Sequence, residues 1–304
     1  MLKQYNIGQL IENIGETNME IEEINIENKL YPMRLREIKN PPQKLYVIGD
    51  AKILNNESIS IIGSRCCTSY GAETAKRFAK ELAQNEITIV SGMAKGIDTE
   101  SHLGAIEAEG KTIAILGSGF NHIFPSKKVF EKILQSGGAV ITEYEPDVEV
   151  SSQGFRDRNR IVAGLSLGIL VIEAKAKSGT SITASYAKSF KRKIFCIPHT
   201  IEDKAGIGTN RLLKNGAILV TKPEDILKYF NKATKIKKME TNKFIEIPEK
   251  YKKVYKELQN EPLNAEQISK KTKCNIIETN TILTMMELEE YIESLPGNYF
   301  QIKE

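Results

Sequence analysis

The chain has 304 residues, 40% of them hydrophobic and 27% charged, with a formal net charge of +4. That length suits one large and one small domain with real cores, and the nearly balanced charge leaves a local basic patch, not a diffuse one, as the route to a polyanion. Asn6, Gln9 and Glu12 interrupt any N-terminal signal pattern, and the longest apolar stretch, Ile161 to Ile172, is too short to span a bilayer. The expectation is a soluble, cytoplasmic protein with no membrane contact.

The first 30 residues carry too few apolar positions for an independent domain, so 1–30 is read as a short N-terminal segment. From there a repeating pattern sets in, in which a β-branched run ends in a Gly-rich turn and an amphipathic helix follows. The first strand is expected at 58–62, ending in Gly63-Ser64-Arg65, with a helix over about 71–84. A second strand at 87–90 runs into Ser91-Gly92-Met93-Ala94-Lys95-Gly96, and Asp98 is expected to cap the next helix, to about 109. Strands at 112–116 and 139–142 flank a helix near 129–135. After Arg158-Asn159-Arg160 come a strand at 169–173, a helix from Ser178-Gly179-Thr180 to about 190, and a strand at 193–197. A helix at 210–214 and an edge strand at 218–220 complete the pattern. Alternation of this kind, with strand interiors of continuous Ile, Val and Leu, predicts an α/β fold: an extended Rossmann-like, doubly wound, mainly parallel sheet over 31–230. Residues 231–243 read as a Lys-rich linker. Over 244–304, helices at 248–259, 265–271 and 276–288 and a hairpin at 291–302 predict a small C-terminal winged-helix domain.

Chemistry-bearing residues gather at the carboxyl ends of the predicted strands, where doubly wound sheets bind ligands. The most informative stretch is 154–165, Gly-Phe-Arg-Asp-Arg-Asn-Arg-Ile-Val-Ala-Gly-Leu. Read as the start of a helix, its arginines suit an anion and Phe155 suits a base; the same arginines equally suit pairing with nearby carboxylates. Three phosphate ligands come into question. A dinucleotide is poorly served, because His122 stands where the third glycine after Gly117-Ser118-Gly119 should be, and turn geometry explains those glycines as well. The sequence has no Walker-type loop. A nucleic acid backbone fits best: Arg65, Arg158, Arg160 and Lys175 would meet phosphates, Gly63-Ser64 and Ser178-Gly179-Thr180 would add donors, and Phe155 would stack on an unpaired base. Ser178 to Thr180 also read as a plain helix cap. Glu173 is a candidate to orient an arginine. His102, His122 and His199 read as packing or surface residues, and Cys66, Cys67, Cys196 and Cys274 as reduced thiols without metal spacing. No nucleophile-base-orienter set emerges, so no catalytic residue, metal or cofactor is expected.

On these residues the chain resembles the DNA processing protein A (DprA, or Smf) family. The resemblance rests on Tyr31-Pro32, Pro41-Pro42 and Leu45-Tyr46; Ile61 to Arg65 with Tyr70-Gly71; Ser91 to Asp98 with His102; Ile113 to Gly119 with Phe124-Pro125; Phe155 with Arg158-Asn159-Arg160; Ser178-Gly179; and Gly208-Thr209-Asn210. Seven motifs in order, over about 31–225, are together specific. The resemblance implies single-stranded DNA binding through these residues, Asn159 included, a homodimer, delivery of incoming strands to a RecA-type recombinase in natural transformation, and no enzymatic activity. Two departures stand out: Arg156 occupies a position where members often have Pro, and only some thirty residues stand where many carry an N-terminal helical module. The rival readings are a Rossmann-type nucleotide-processing enzyme resembling a phosphoribohydrolase, for which the glycine run at Ser178-Gly179-Thr180 is missing, and a protein adaptor built on the winged helix. The last predicted helix favours protein over DNA, because no Lys or Arg occurs from Asn275 to Glu304 except Lys303.

Overall fold

The computed structural model describes residues 20–176, 178–231, 247–259, 261–289 and 291–302. They fall into two compact units, divided at residues 235/236. The first is built on a nine-stranded sheet. Its strands are β1 (Glu22–Asn25), β2 (Lys44–Gly49), β3 (Ser58–Ile62), β4 (Thr88–Ser91), β5 (Thr112–Ile115), β6 (Ala139–Thr142), β7 (Gly168–Val171), β8 (Lys193–Cys196) and β9 (Ile218–Leu219). The spatial order is β1-β2-β6-β5-β4-β3-β7-β8-β9, and every pairing from β6 to β9 is parallel. Strands β3 to β7 are buried along their whole length, which is why their sequences are unbroken apolar or small-polar runs. The helices are α1 (Met33–Arg36), α2 (Ser69–Gln84), α3 (Ile97–Glu107), α4 (Lys127–Gln135), α5 (Ser152–Leu165), α6 (Gly179–Ser189), α7 (Ile207–Lys214) and α8 (Pro223–Tyr229). The expected doubly wound, mainly parallel sheet is therefore present.

Two strands and two helices of this unit, β1, β2, α1 and α8, escaped the periodicity. β2 joins β6 antiparallel, and β1 joins β2 antiparallel from upstream of residue 31. Both are short additions, specified by pairing with a preformed edge rather than by their own pattern. α8 is too short to show a clear period; it starts at Pro223, with Asp225 accepting from the backbone of Thr221 and Lys222. Beyond Asn231, the expected linker lies outside the described residues, as does most of the expected N-terminal segment.

α2 and α3 pack closely, and Gly104 permits it: a Cβ there would lie 2.2 Å from the Lys76 carbonyl oxygen. Buried serines tie α5 to the sheet, with Ser60 Oγ donating to the Val162 carbonyl at 2.7 Å and Ser58 Oγ to that of Leu165 at 3.3 Å. The carboxyl ends of β3 and β7 lie side by side, where strand order reverses between β3-β4-β5-β6 and β7-β8-β9. This is the switch point at which such sheets open a crevice.

The second unit contains α9 (Lys252–Leu258), β10 (Leu263–Asn264), α10 (Ala265–Thr272), α11 (Ile276–Leu288), β11 (Ile292–Leu295) and β12 (Tyr299–Ile302), its strands ordered β10-β12-β11. Tyr251, Val254, Leu258, Leu263, Ile268, Leu283, Met286 and Ile292 form its core. Asn264 and Gln267 make a capping box that sharpens the start of α10. Three helices and a hairpin in this order are the expected winged helix. Among the described residues, no helix is long and apolar enough to cross a membrane.

His102 on α3 is wholly buried, its Nδ1 2.7 Å from Thr112 Oγ1. Burial, reinforced by the nearby Arg158 charge, pushes its pKa down from 6.5 to about 3. The folded protein therefore holds a neutral ring where the unfolded chain takes up a proton. The stability linked to this residue is complete above pH 6.5 and drains away as pH falls toward 3. The gap in unfolding free energy between the parent and His102→Gln should shrink by up to about 1.4 kcal/mol per pH unit as acid is added. Urea titrations at neutral and mildly acidic pH check this, and a constant gap would refute it.

Candidate functional site

Loops after β3, β4 and β7 and one face of α5 enclose a cleft of about 490 Å³ at the switch point. Gly63, Ser64, Arg65, Phe155, Arg158, Asn159, Lys175, Ser178, Gly179 and Thr180 all line it. The fold thus brings together ten of the eleven residues singled out from the sequence. Arg160 is the exception. It sits in a separate surface depression, where its Nη1 and Nη2 donate to the two oxygens of Glu143 at 3.0 and 2.5 Å. The carboxylate-pairing reading holds for this arginine.

The Arg-Asn-Arg triplet does not open a helix. α5 begins six residues earlier, where Ser151 is the N-cap and its Oγ accepts from the Gly154 N–H at 2.9 Å. The arginines therefore stand mid-helix, away from the dipole's positive end. Arg158 is 4% exposed and lies across Gly92, where a Cβ would fall 1.2 Å from its Nη1. Nη1 donates to the Ile115 carbonyl at 3.1 Å, Nη2 is 3.8 Å from Asp98 Oδ2, and the buried Nε has no partner. Asp98 is not a cap: Gly96, at φ 81°, holds the N-cap position of α3. Its buried carboxylate instead accepts from the N–H groups of Gly92 and Ala94 at 3.2 and 3.3 Å, clamping the loop after β4. Burial pushes the Asp98 carboxyl up and the Arg158 guanidinium down, and the opposite charge of each partner resists both shifts.

Glu173 does not orient an arginine either. It is fully buried and accepts from the backbone N–H and hydroxyl of Thr68, the N-cap of α2. The loop after β3 is thereby held from below, which leaves Arg65 exposed above it. The Arg65 guanidinium carbon stands 5.3 Å from the centre of the Phe155 ring, a cation-π contact at the cleft mouth. Opposite, α6 presents its N-terminus. Ser178 occupies the N-cap position but its hydroxyl makes no cap bond and is buried without a partner, and nothing lies within 4 Å of a Cβ built on Gly179. The cap reading thus accounts for the position of Ser178 and not for its hydroxyl. Gly179 and Thr180, whose N–H groups open the first turn of α6, line the cleft beside that hydroxyl, an arrangement suited to an anion.

Arg156, Ser152 and Cys66 also line the cleft and escaped sequence reasoning. The signal for the first two was present: Ser152, Phe155, Arg156, Asn159 and Val162 share one helical face once the helix starts at Ser152. The Gly117 and Gly119 turn is not a dinucleotide loop. A Cβ on Gly117 would meet the Gly154 backbone at 2.9 Å, and one on Gly119 the Glu145 carbonyl at 2.1 Å, so chain crossing accounts for both. His199 is a structural residue, with Nε2 2.8 Å from the Ile172 carbonyl and Nδ1 3.0 Å from Asp203. Among the described residues no His, Cys, Asp and Glu cluster could hold a metal ion.

Together these features define a Rossmann-like α/β protein with an anion-suited, aromatic-rimmed cleft at its switch point and a winged-helix appendage. Residues 22–231 match the family described as DNA recombination-mediator protein A, and residues 246–298 match the DprA winged helix domain. The chain belongs to this DprA/Smf family. It is 38% identical to Protein Smf of Escherichia coli over 67% of this chain and 55% of that protein, so the match spans about half the length of that relative. It is 38% identical to DNA processing protein DprA of Streptococcus pneumoniae over 68% of this chain and 73% of that one. The crystal structure of the pneumococcal protein superposes with a TM-score of 0.65, covering 68% of this chain and 74% of that one at 37% identity. A structure of DNA processing protein A from Helicobacter pylori, described for its single-stranded DNA binding mode, gives 0.62 at 31% identity, covering 69% and 96%.

The two arginines at the cleft should separate in their effect on stability. Arg158→Ala strands the buried Asp98 carboxylate and should cost about 3–5 kcal/mol. Arg65→Ala, at an exposed position, should cost less than about 1 kcal/mol. Urea denaturation of both variants checks this, and equal losses would show that the Arg158–Asp98 pair does not hold the loop.

Proposed function

We propose that the chain is a non-enzymatic, single-stranded DNA-binding recombination mediator that holds the strand in the switch-point cleft. The observation that carries this reading is the Arg65–Phe155 pair, which lines the same cleft as the N-terminus of α6. A guanidinium over an aromatic ring offers one group to phosphate and one face to an unpaired base. Lys175 and Arg156 add exposed cations on the same rim. The H. pylori relative, whose structure is described for single-stranded DNA binding, supports the same ligand. Arg158 and Arg160 act here as positioning residues, since their guanidinium groups are engaged by protein acceptors. A nucleotide-processing enzyme would need a free carboxylate beside the cleft, and both oxygens of Glu173 are bound by Thr68. Family membership further supports a cytoplasmic homodimer that passes incoming strands to a RecA-type recombinase in natural transformation. The winged helix is assigned a protein-contact role. Helix α11 carries Glu278 and Glu287 and exposes Ile277 and Leu288, a surface that repels phosphate.

In fluorescence anisotropy titrations, single-stranded oligonucleotides should bind more tightly than duplex, with little sequence preference and a steep loss of affinity in salt. Equal affinity for duplex would defeat the reading. Arg65→Ala should weaken binding by roughly 1.5–3 kcal/mol and Phe155→Ala by roughly 1–3 kcal/mol. Arg65→Ala binding like the parent would move the strand out of this cleft.

Deleting residues 244 to 304 should leave single-strand affinity nearly unchanged and the dimer intact by light scattering. A tenfold loss of affinity (about 1.4 kcal/mol) with the dimer preserved would assign the winged helix a share in DNA binding.

A further inference from the structure

The loop between β5 and α4 holds two phenylalanines with opposite fates. Phe120 is fully buried and packs edge-on to Phe130, their ring centres 6.4 Å apart. The loop is thus anchored in the core without help from Phe124, which is 49% exposed. Phe124 instead rests against Phe155, with ring centres 5.9 Å apart and planes inclined by 54°. Arg65 and Phe124 therefore both neighbour Phe155, itself a lining residue of the cleft, at 5.3 and 5.9 Å. Exposed cations stand nearby in the chain: Lys127 and Lys128 open α4 just downstream of Phe124, and Arg156 follows Phe155. A solitary exposed aromatic needs no explanation. One set against a cation-π pair and followed in the chain by two exposed lysines matches the stacking platform and charged track of a single-strand path.

We propose that Phe124 is a second stacking subsite, which takes the unpaired base next to the one held at Phe155, so that the strand leaves the cleft across the β5–α4 loop. This rests on the single-strand reading of the cleft. The 54° tilt matters, because two inclined faces receive two separate bases rather than sandwiching one. Lys127 and Lys128 then meet the phosphates of the emerging strand.

The chain contains no tryptophan, so Phe124→Trp places a single reporter at the subsite without background. In the full-length protein, Phe124→Ala should bind an oligothymidylate at least about fivefold more weakly than the parent. Phe124→Trp should retain parental affinity, and its emission should be quenched by the oligothymidylate but not by a saturating abasic deoxyribose-phosphate strand of equal length. A parent that binds while Phe124→Ala binds equally well overturns the subsite and leaves the cleft reading standing. Equal quenching by the abasic strand also overturns it, because the base would then make no contact. A parent that binds no oligonucleotide overturns the cleft reading and this subsite together.

Discussion

A guanidinium group laid across a glycine sets the geometry of the cleft. Arg158 can lie flat over the loop after β4 because Gly92 has no side chain, and Asp98 receives both that loop's amides and the arginine's charge. Burying such a pair carries a large desolvation cost, so it contributes little net stability against an apolar alternative; removing one partner is what is costly. Its structural consequence is a fixed phase for α5 on the sheet. With Arg158 held underneath, Phe155, almost one turn earlier, emerges at the rim, and Ser152, Arg156 and Asn159 turn the same face toward the cleft.

The neighbouring loops are held in the same manner. Glu173, at the end of β7, gathers Thr68 and fixes the start of α2, so the Gly63-Ser64-Arg65 turn has a rigid base. Asn210 links α7 to both the N–H and the carbonyl of His199, and Asp203 accepts from Ala205, bracing the segment after β8. Buried polar side chains thus do for the loops what the backbone ladder does for the strands. A cleft built this way is largely formed before ligand arrives, and preorganisation lowers the ordering cost of binding. Two lining groups are left outside these hydrogen bonds: the Ser178 hydroxyl, buried without a partner, and the exposed Arg65 guanidinium, which stands over the Phe155 ring.

The winged-helix unit divides its charge by element. Lysines occur on α9 and α10, whereas α11 carries only carboxylates among its charged residues. The exposed apolar side chains Ile277 and Leu288 lie on that acidic helix. In many winged helices the corresponding helix enters a DNA groove; the acidic, partly apolar surface here is the observation behind the proposed protein-contact role.

The alternation of strands and helices, the switch-point cleft and ten of its residues follow from the sequence alone. Long parallel strands buried on both faces leave an unmistakable apolar run, and turn residues at their carboxyl ends have one rim to occupy. The winged helix was legible as three helical segments and a Pro296-Gly297-Asn298 turn in fixed order. Tertiary structure alone decided the rest. β1 and β2 exist because an edge of the sheet accepts them. The roles of the charged residues were undetermined because ion pairs and hydrogen bonds join distant positions: Arg158 pairs with Asp98 and Arg160 with Glu143, while Glu173 accepts from Thr68 rather than meeting an arginine. A sequence shows that a guanidinium is present; only the packed chain shows whether a carboxylate already holds it.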